Sequence, residues 1–205
     1  KVMDGIKNAV EEGLYLQVNI ALSKLNLHEL SQLLRLADKL GSCVVLLYQF
    51  QPYGRGALRE NLALTPPEFF KVIEETAKLQ GELKTLVIPI GLPEYFAYLS
   101  AKTPLLNRMF RGCIAGRGMF YVKWYGDVWP CVFLQLSIGN ILEEKAVKIW
   151  RENELLNKLR DRNNLEEPCR SCRYRENCGG CRSRAYLLTK NPLAADPACP
   201  FTSKD

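Results

Sequence analysis

The sequence has only one histidine among its 205 residues, and it lacks any apolar run near the ~18 residues that span a membrane. Nothing near its start resembles a secretory signal, and it contains no internal repeat. With 24% charged and 47% hydrophobic residues, a disordered or fibrous protein is excluded. The net charge of +6 permits an anionic ligand but does not require nucleic acid. We therefore expect a globular, cytoplasmic protein without a membrane span or a nucleic-acid partner.

The first hundred residues alternate strand and helix signals. Apolar, strand-favouring runs over 14–22, 43–50 and 86–90 predict three buried strands, with Cys43 as a small buried side chain. Because helices intervene, right-handed crossovers and a parallel sheet are expected. Three strands cannot close a barrel, so we expect an α/β fold that is part of a barrel or an open sheet.

The helices between these strands are predicted by their N-terminal signals. Asn26 stands three residues before Glu29, and Thr65 stands three residues before Glu68. Both pairs have the spacing of a capping box, in which the first side chain and the later carboxylate satisfy free backbone N–H groups. Two prolines directly after Thr65 strengthen the second prediction.

The alternation of strands and helices stops between Pro104 and Gly112, where we place a domain boundary. The second half is short of regular structure and rich in cysteine. Its Tyr-Gly-Asp turn at 125–127 predicts a β-hairpin with Trp124 in the core, and residues 143–161 predict one helix. A short helix is expected from about 180 to 188. The two predicted domains are residues 1–105 and 106–205.

Seven of the eight cysteines lie after residue 112. Thiolates are soft ligands that suit zinc or iron–sulfur clusters, and a two-residue gap lets both sulfurs of a pair face one site. Without a secretory signal, metal binding is a better explanation of this pattern than disulfides. Four of the cysteines follow the spacing Cys-x2-Cys-x5-Cys-x2-Cys, namely Cys169, Cys172, Cys178 and Cys181.

The choice between the two kinds of metal site depends on the remaining ligands. The five-residue gap is shorter than the ~12–20 residues common between the pairs of a zinc ribbon, and the only histidine, His28, lies far away. A single zinc site would leave Cys113, Cys131 and Cys199 without a role, whereas two iron–sulfur clusters would use all seven cysteines. Iron–sulfur clusters are therefore favoured, and a non-catalytic zinc-binding module is the alternative.

This arrangement closely resembles the SPASM domain, the auxiliary-cluster domain that follows the barrel of many radical SAM enzymes. The resemblance extends from Cys113 to Cys199 and includes the residues that flank the cysteines at 126–131 and 178–182. Residues 52–56 resemble a turn of the radical SAM barrel, so the first half resembles the C-terminal part of a partial (β/α) barrel. The family implies two auxiliary [4Fe-4S] clusters with interleaved ligands. They would be Cys113, Cys131 and Cys181 for cluster I, and Cys169, Cys172, Cys178 and Cys199 for cluster II.

The family's SAM-cleaving motif, Cys-x3-Cys-x2-Cys, is absent from the sequence. Because the chain also starts with Lys1 inside a predicted helix, we expect an inactive fragment of a longer enzyme. The resemblance implies that the longer enzyme binds S-adenosylmethionine (SAM) and a third [4Fe-4S] cluster. With electrons from a donor such as ferredoxin or flavodoxin, it would generate a 5′-deoxyadenosyl radical. Asn19 and Arg55 are the candidate SAM contacts.

Two short sequence motifs near the C-terminal end, at 181–186 and 196–200, resemble those of the family members that modify haem-type tetrapyrroles. Related motifs occur in maturases of peptides and of peptide-derived cofactors, so a peptide substrate is the alternative. Several arginines stand among the cluster cysteines. Their cations can stabilise an anionic cluster, and guanidinium groups also suit substrate carboxylates. These arginines are Arg170, Arg173, Arg175, Arg182 and Arg184.

Overall fold

The computed structural model describes residues 1–102 and 111–201. The chain divides into two compact units, Lys1–Tyr95 and Phe96–Asp205. Most of the predicted boundary between Pro104 and Gly112 lies outside the described residues, so the domains at 1–105 and 106–205 stay a prediction. No helix in the described part of the chain is long and apolar enough to cross a membrane.

The first unit is built on a parallel sheet with the strand order β1-β2-β3. The strands are β1 (Gln17–Leu22), β2 (Val44–Gln49) and β3 (Leu86–Ile90). Helices connect successive strands, so the predicted α/β class with a parallel sheet is confirmed. The helices are α1 (Val2–Glu11), α2 (Leu30–Lys39), α3 (Pro66–Gln80) and α4 (Pro93–Lys102), the last of which begins at the end of this unit.

The two predicted capping boxes have different outcomes. Glu68 accepts hydrogen bonds from the backbone N–H and the hydroxyl of Thr65, at 2.7 and 2.8 Å, at the start of α3. Asn26 instead accepts from the backbone N–H of Ser23 and donates to a carbonyl of β1. A 3-10 turn over Leu27–Glu29 then leads into α2. The prediction at Asn26 is therefore wrong, because its side chain holds the preceding loop.

Alternate side chains of β2 point into the core of the first unit, where Val45 and Leu47 are fully buried. Cys43 is exposed, so its predicted burial is wrong. It precedes β2 at the amino end of the strand, where its backbone N–H bonds to the carbonyl of Leu16 at 2.9 Å. The apolar run includes Cys43, but the buried sheet begins after it.

The second unit contains the predicted antiparallel hairpin, formed by β4 (Tyr121–Val122) and β5 (Val128–Trp129). Val128 is fully buried, but Trp124 is 94% exposed because it lies in the connecting turn. The prediction of Trp124 as a core residue is therefore wrong. The helices of this unit are α5 (Ala146–Glu152), α6 (Glu154–Arg160) and α7 (Arg182–Thr189).

The helix predicted over 143–161 is two helices that meet at Asn153. This residue has an extended backbone (φ −62°, ψ 125°), and its side chain accepts from the backbone N–H of Leu156 at 3.1 Å. An N-terminal cap is a favoured position for asparagine, so α6 starts afresh there. Leu156 and Leu159 of α6 are buried, as the helical spacing predicts.

Candidate metal centre

Four cysteines surround one cavity of about 290 Å³ in the second unit. They come from a turn-rich loop before α7 and from the segment after it. Two backbone N–H groups donate to their sulfurs: Tyr174 to Cys172 at 3.4 Å, and Gly180 to Cys178 at 3.3 Å. Such bonds stabilise a thiolate. The cavity-lining cysteines are Cys169, Cys172, Cys178 and Cys199, the four predicted ligands of cluster II.

The three predicted ligands of cluster I also lie near one another. Burial raises the pKa of the Cys131 thiol, and it raises that of Cys181 to about 11. Cys113 is close enough to both thiols to raise these pKa values further by charge repulsion. Thiols lose their protons when a metal binds them, even where burial raises the pKa. Their number and chemistry therefore fit a thiolate-bound metal group.

Backbone contacts connect the two sets of cysteines. The N–H of Cys113 donates to the carbonyl of Cys178 at 2.9 Å. Gly112 makes this approach possible: it has a φ of +66°, and a Cβ there would lie 2.1 Å from the same carbonyl oxygen.

Within residues 1–102 and 111–201, no three His, Cys, Asp or Glu side chains are grouped closely enough to hold one metal ion.

A buried ion pair fixes the segments on either side of α7. The Arg184 guanidinium donates to both carboxylate oxygens of Asp196, at 2.7 and 2.6 Å. The same carboxylate accepts from the backbone N–H of Cys181 at 2.7 Å, and the Asp196 carbonyl accepts from that of Cys199 at 3.0 Å. Burial alone would raise the pKa of Asp196, but Arg184 holds it below its ordinary value. The Asp196 carboxylate thus supports a predicted ligand of cluster I, and the Asp196 backbone carbonyl supports one of cluster II.

Other arginines singled out in the sequence also have partners within the domain. The fully buried Arg182 donates to the carbonyls of Pro192 and Ala194, at 3.1 and 2.7 Å. Arg170 pairs with Glu167, Arg175 pairs with Glu176, and Arg173 lies over the ring of Tyr174. These contacts support structural roles around the cysteines. Binding of substrate carboxylates by these arginines stays a prediction.

One buried charge near the cysteines had no signal in the sequence. Arg162 is only 3% exposed, and its Nη2 donates to the carbonyl of Cys113 at 2.9 Å. Burial lowers the pKa of its guanidinium to about 10. Gly179 provides the room, because a Cβ there would lie 2.5 Å from the guanidinium carbon. Arg162 stands in a polar stretch without periodicity, and only the glycine beside Cys178 hinted at a close approach.

The two candidate SAM contacts lie in the first unit. Asn19 is an exposed residue in the middle of β1, and it accepts a hydrogen bond from the side chain of Gln17 at 3.0 Å. Arg55 is also exposed and lies in the 3-10 segment Gly54–Leu62 that follows β2. Their predicted role stays a prediction.

Comparison with known proteins bears directly on the cysteine-rich unit. Residues 113–173 match the SPASM family, described as an iron-sulfur cluster-binding domain. The chain is 32% identical to an AdoMet-dependent heme synthase of Methanosarcina barkeri, over 90% of this chain and 56% of the relative. It is 30% identical to a PqqA peptide cyclase of Bradyrhizobium diazoefficiens, over 98% of this chain and 53% of the relative. The chain thus spans about half the length of the curated relatives it matches.

Solved structures show the same fold. SuiB of Streptococcus suis bound to S-adenosylmethionine matches 96% of this chain and 48% of its own, with a TM-score of 0.67 and 17% identity. SuiB bound to its precursor peptide SuiA matches 96% and 47%, with a TM-score of 0.69 and 18% identity. Residues 113–173 therefore correspond to a SPASM iron–sulfur cluster-binding domain. Its relatives are radical SAM enzymes, so the resemblance drawn from the cysteine spacing is confirmed.

Proposed function

We propose that the chain is the auxiliary-cluster part of a radical SAM enzyme and that it binds two [4Fe-4S] clusters. The observation that carries this proposal is the cavity of about 290 Å³ that four cysteines surround, since it offers thiolates and room for a group larger than one ion. When bound, the clusters supply one-electron redox chemistry, while the chain orients them and excludes water. The proposed ligands are Cys113, Cys131 and Cys181 for cluster I, and Cys169, Cys172, Cys178 and Cys199 for cluster II.

Metal analysis tests this proposal directly. After anaerobic purification and reconstitution, we expect about eight irons and matching acid-labile sulfide per chain, the content of two four-iron clusters. One zinc without sulfide would instead indicate the non-catalytic zinc module. About four irons would refute the two-cluster proposal while keeping the iron–sulfur assignment.

Single cysteine variants then test the two ligand sets. Cys113→Ser should reduce the iron bound at cluster I, and Cys199→Ser should reduce the iron bound at cluster II. Cys43→Ser is the matched control, because Cys43 is exposed and lies in the first unit. We expect unchanged iron in the control. Equal iron in all three variants would refute the ligand assignment.

We further propose that the whole enzyme modifies a haem-type tetrapyrrole by 5′-deoxyadenosyl radical chemistry. Support comes from the heme synthase of Methanosarcina barkeri, which is similar over 90% of the chain. Peptide maturation is the second candidate, since PqqA peptide cyclases are 30–32% identical and SuiB was solved with a precursor peptide. Titrating the cluster-loaded chain with a haem-type tetrapyrrole tests the choice. A saturable shift of the tetrapyrrole absorption band supports the first candidate, and its absence favours the second.

The remaining proposals concern SAM, the electron donor and the location. Asn19 and Arg55 are proposed SAM contacts, so Asn19→Ala and Arg55→Ala should weaken SAM binding in calorimetric titrations of the whole enzyme. Unchanged binding in both variants would refute that role. The proposed electron donor is a ferredoxin or flavodoxin. We place the protein in the cytoplasm, where cysteines stay reduced and available for clusters.

A further inference from the structure

Arg162 has an unusual environment for an arginine. It begins the 3-10 turn Arg162–Asn164 after α6 and is 3% exposed. Its Nη2 donates to the carbonyl of Cys113 at 2.9 Å. In the part of the chain that the structure describes, its Nε and Nη1 are buried without a hydrogen-bond partner. A buried cation with two unused donors is costly, so these donors point to a ligand that is anionic.

The surroundings of Arg162 show where such an anion would lie. Its guanidinium packs against Gly179, where a Cβ would lie 2.5 Å from both Cζ and Nη1. The thiols of Cys113 and Cys178 both interact electrostatically with it, and Arg117 and Arg182 add further positive charge. Cys113 belongs to the proposed cluster I set, and Cys178 belongs to the cluster II set. The guanidinium therefore lies between residues of both ligand sets.

We propose that Arg162 is a positioning residue for both clusters, and that its free Nε–H and Nη1–H groups donate to cluster sulfur atoms. This inference rests on the proposed function. A cluster with thiolate ligands is anionic, and both a nearby cation and N–H···S bonds favour the extra electron of its reduced state. One side chain thus raises the reduction potential of two clusters together, while its Nη2 holds the backbone of the first ligand.

Two other arginines near the cysteines are engaged differently. Arg184 is neutralised by Asp196, with both carboxylate oxygens within 2.7 Å of its donors. Arg160 stacks over Trp150 and donates to the carbonyl of Gly116 at 3.0 Å. Because its partners are an aromatic ring, the Asn157 side chain and backbone carbonyls, Arg160 provides the matched control. It is two residues from Arg162.

The test is a potentiometric titration of the reconstituted chain, followed by electron paramagnetic resonance. Arg162→Gln should shift the reduction equilibrium of each cluster about tenfold towards the oxidised state, which corresponds to about 59 mV for one electron. Arg162→Lys keeps the charge but not the fork of donors, so a smaller shift is expected. Arg160→Gln should leave both potentials unchanged. Unchanged potentials in Arg162→Gln, or an equal shift in Arg160→Gln, would overturn the proposal.

A second measurement does not depend on the folding of the Gln variant. In the wild-type chain labelled with ¹⁵N-arginine, the reduced clusters should show a hyperfine coupling to guanidinium nitrogen that is lost in Arg162→Lys. If the wild-type chain binds iron and sulfide but shows no such coupling, the proposed role of Arg162 is refuted and the proposed function is not. A wild-type chain that binds no iron refutes the proposed function itself, and with it this inference.

Discussion

Removal of the Asp196 charge should strongly destabilise the cysteine-rich unit. The Asp196 side chain is fully buried and that of Arg184 is 6% exposed, so solvent screens their interaction little. Asp196→Asn leaves the Arg184 guanidinium buried without its counter-charge. It also weakens the acceptor for the backbone N–H of Cys181. Breaking a buried pair from one side costs about 3–5 kcal/mol.

Urea unfolding of the cluster-loaded chain, followed anaerobically by circular dichroism, measures this loss. With a slope of about 2 kcal/mol per molar urea, the midpoint should fall by about 1.5–2.5 M. Iron content should fall too, since the Asp196 carboxylate holds the backbone of Cys181. The double variant Asp196→Leu/Arg184→Leu should recover only part of the stability, because it removes the unpaired charge but leaves the N–H groups of Cys181 and Ala198 without their acceptor.

The matched control removes a carboxylate from an exposed pair. Glu154 contacts Lys158 one helical turn away, and its side chain is 82% exposed. Exposed pairs contribute little to stability, so Glu154→Gln should leave the urea midpoint unchanged. If Asp196→Asn shifts the midpoint no more than this control does, the ion pair is not what holds the segments around α7 together.

Two further predictions concern backbone geometry and pH. Gly112→Ala should lower the free energy of unfolding by at least about 1–2 kcal/mol because of the positive φ alone, and the clash with Cys178 should lower the iron content. The control is Gly118→Ala, whose Cβ would have its nearest contact at 3.5 Å, and it should change neither the stability nor the iron content. The backbone N–H of Thr85 donates to the Asp38 carboxylate at 2.8 Å, and this bond lowers the pKa of Asp38 below its ordinary value of 3.8. The ionised Asp38 therefore stabilises the fold above pH 3.8, and this stabilisation is lost as the pH falls through the lowered pKa. Asp38→Asn should flatten the acid limb of a plot of unfolding free energy against pH, and an unchanged acid limb would contradict this assignment.

The first unit could largely be predicted because its signals are local. Apolar runs located all three strands, and the strand over 86–90 has its predicted bounds. The errors occurred where a second local interaction competes with the predicted one, or where a strand starts later than its apolar run. Asn26 has the spacing of a cap but bonds to the preceding loop, and Asn153 divides a helix that apolar periodicity alone would continue. Cys43 is the first residue of an apolar run, but the strand begins only at Val44, so the Cys43 side chain is exposed.

The cysteine-rich metal site could be predicted because metal ligation requires particular residue types at particular spacings, whereas the division into two ligand sets rests on the family resemblance and stays a prediction. The interactions that support the cysteines could not be predicted. Arg184 and Asp196 are twelve residues apart, and nothing local announces their pairing. Arg162 approaches Cys113 across 49 residues of sequence, so only the folded chain shows that its charge lies beside both ligand sets.

The interleaved arrangement of the two proposed ligand sets predicts that folding and metal binding depend on each other in the cysteine-rich unit. Each proposed set combines distant segments: Cys113 and Cys131 precede α5 and α6, whereas Cys181 follows them. The hydrogen bond from Cys113 to Cys178 joins one set to the other through the backbone. Binding free energy at either proposed site would therefore also stabilise a backbone contact on which the other site depends. We therefore expect the two proposed sites to assemble with the fold of this unit, so that filling one eases the filling of the other.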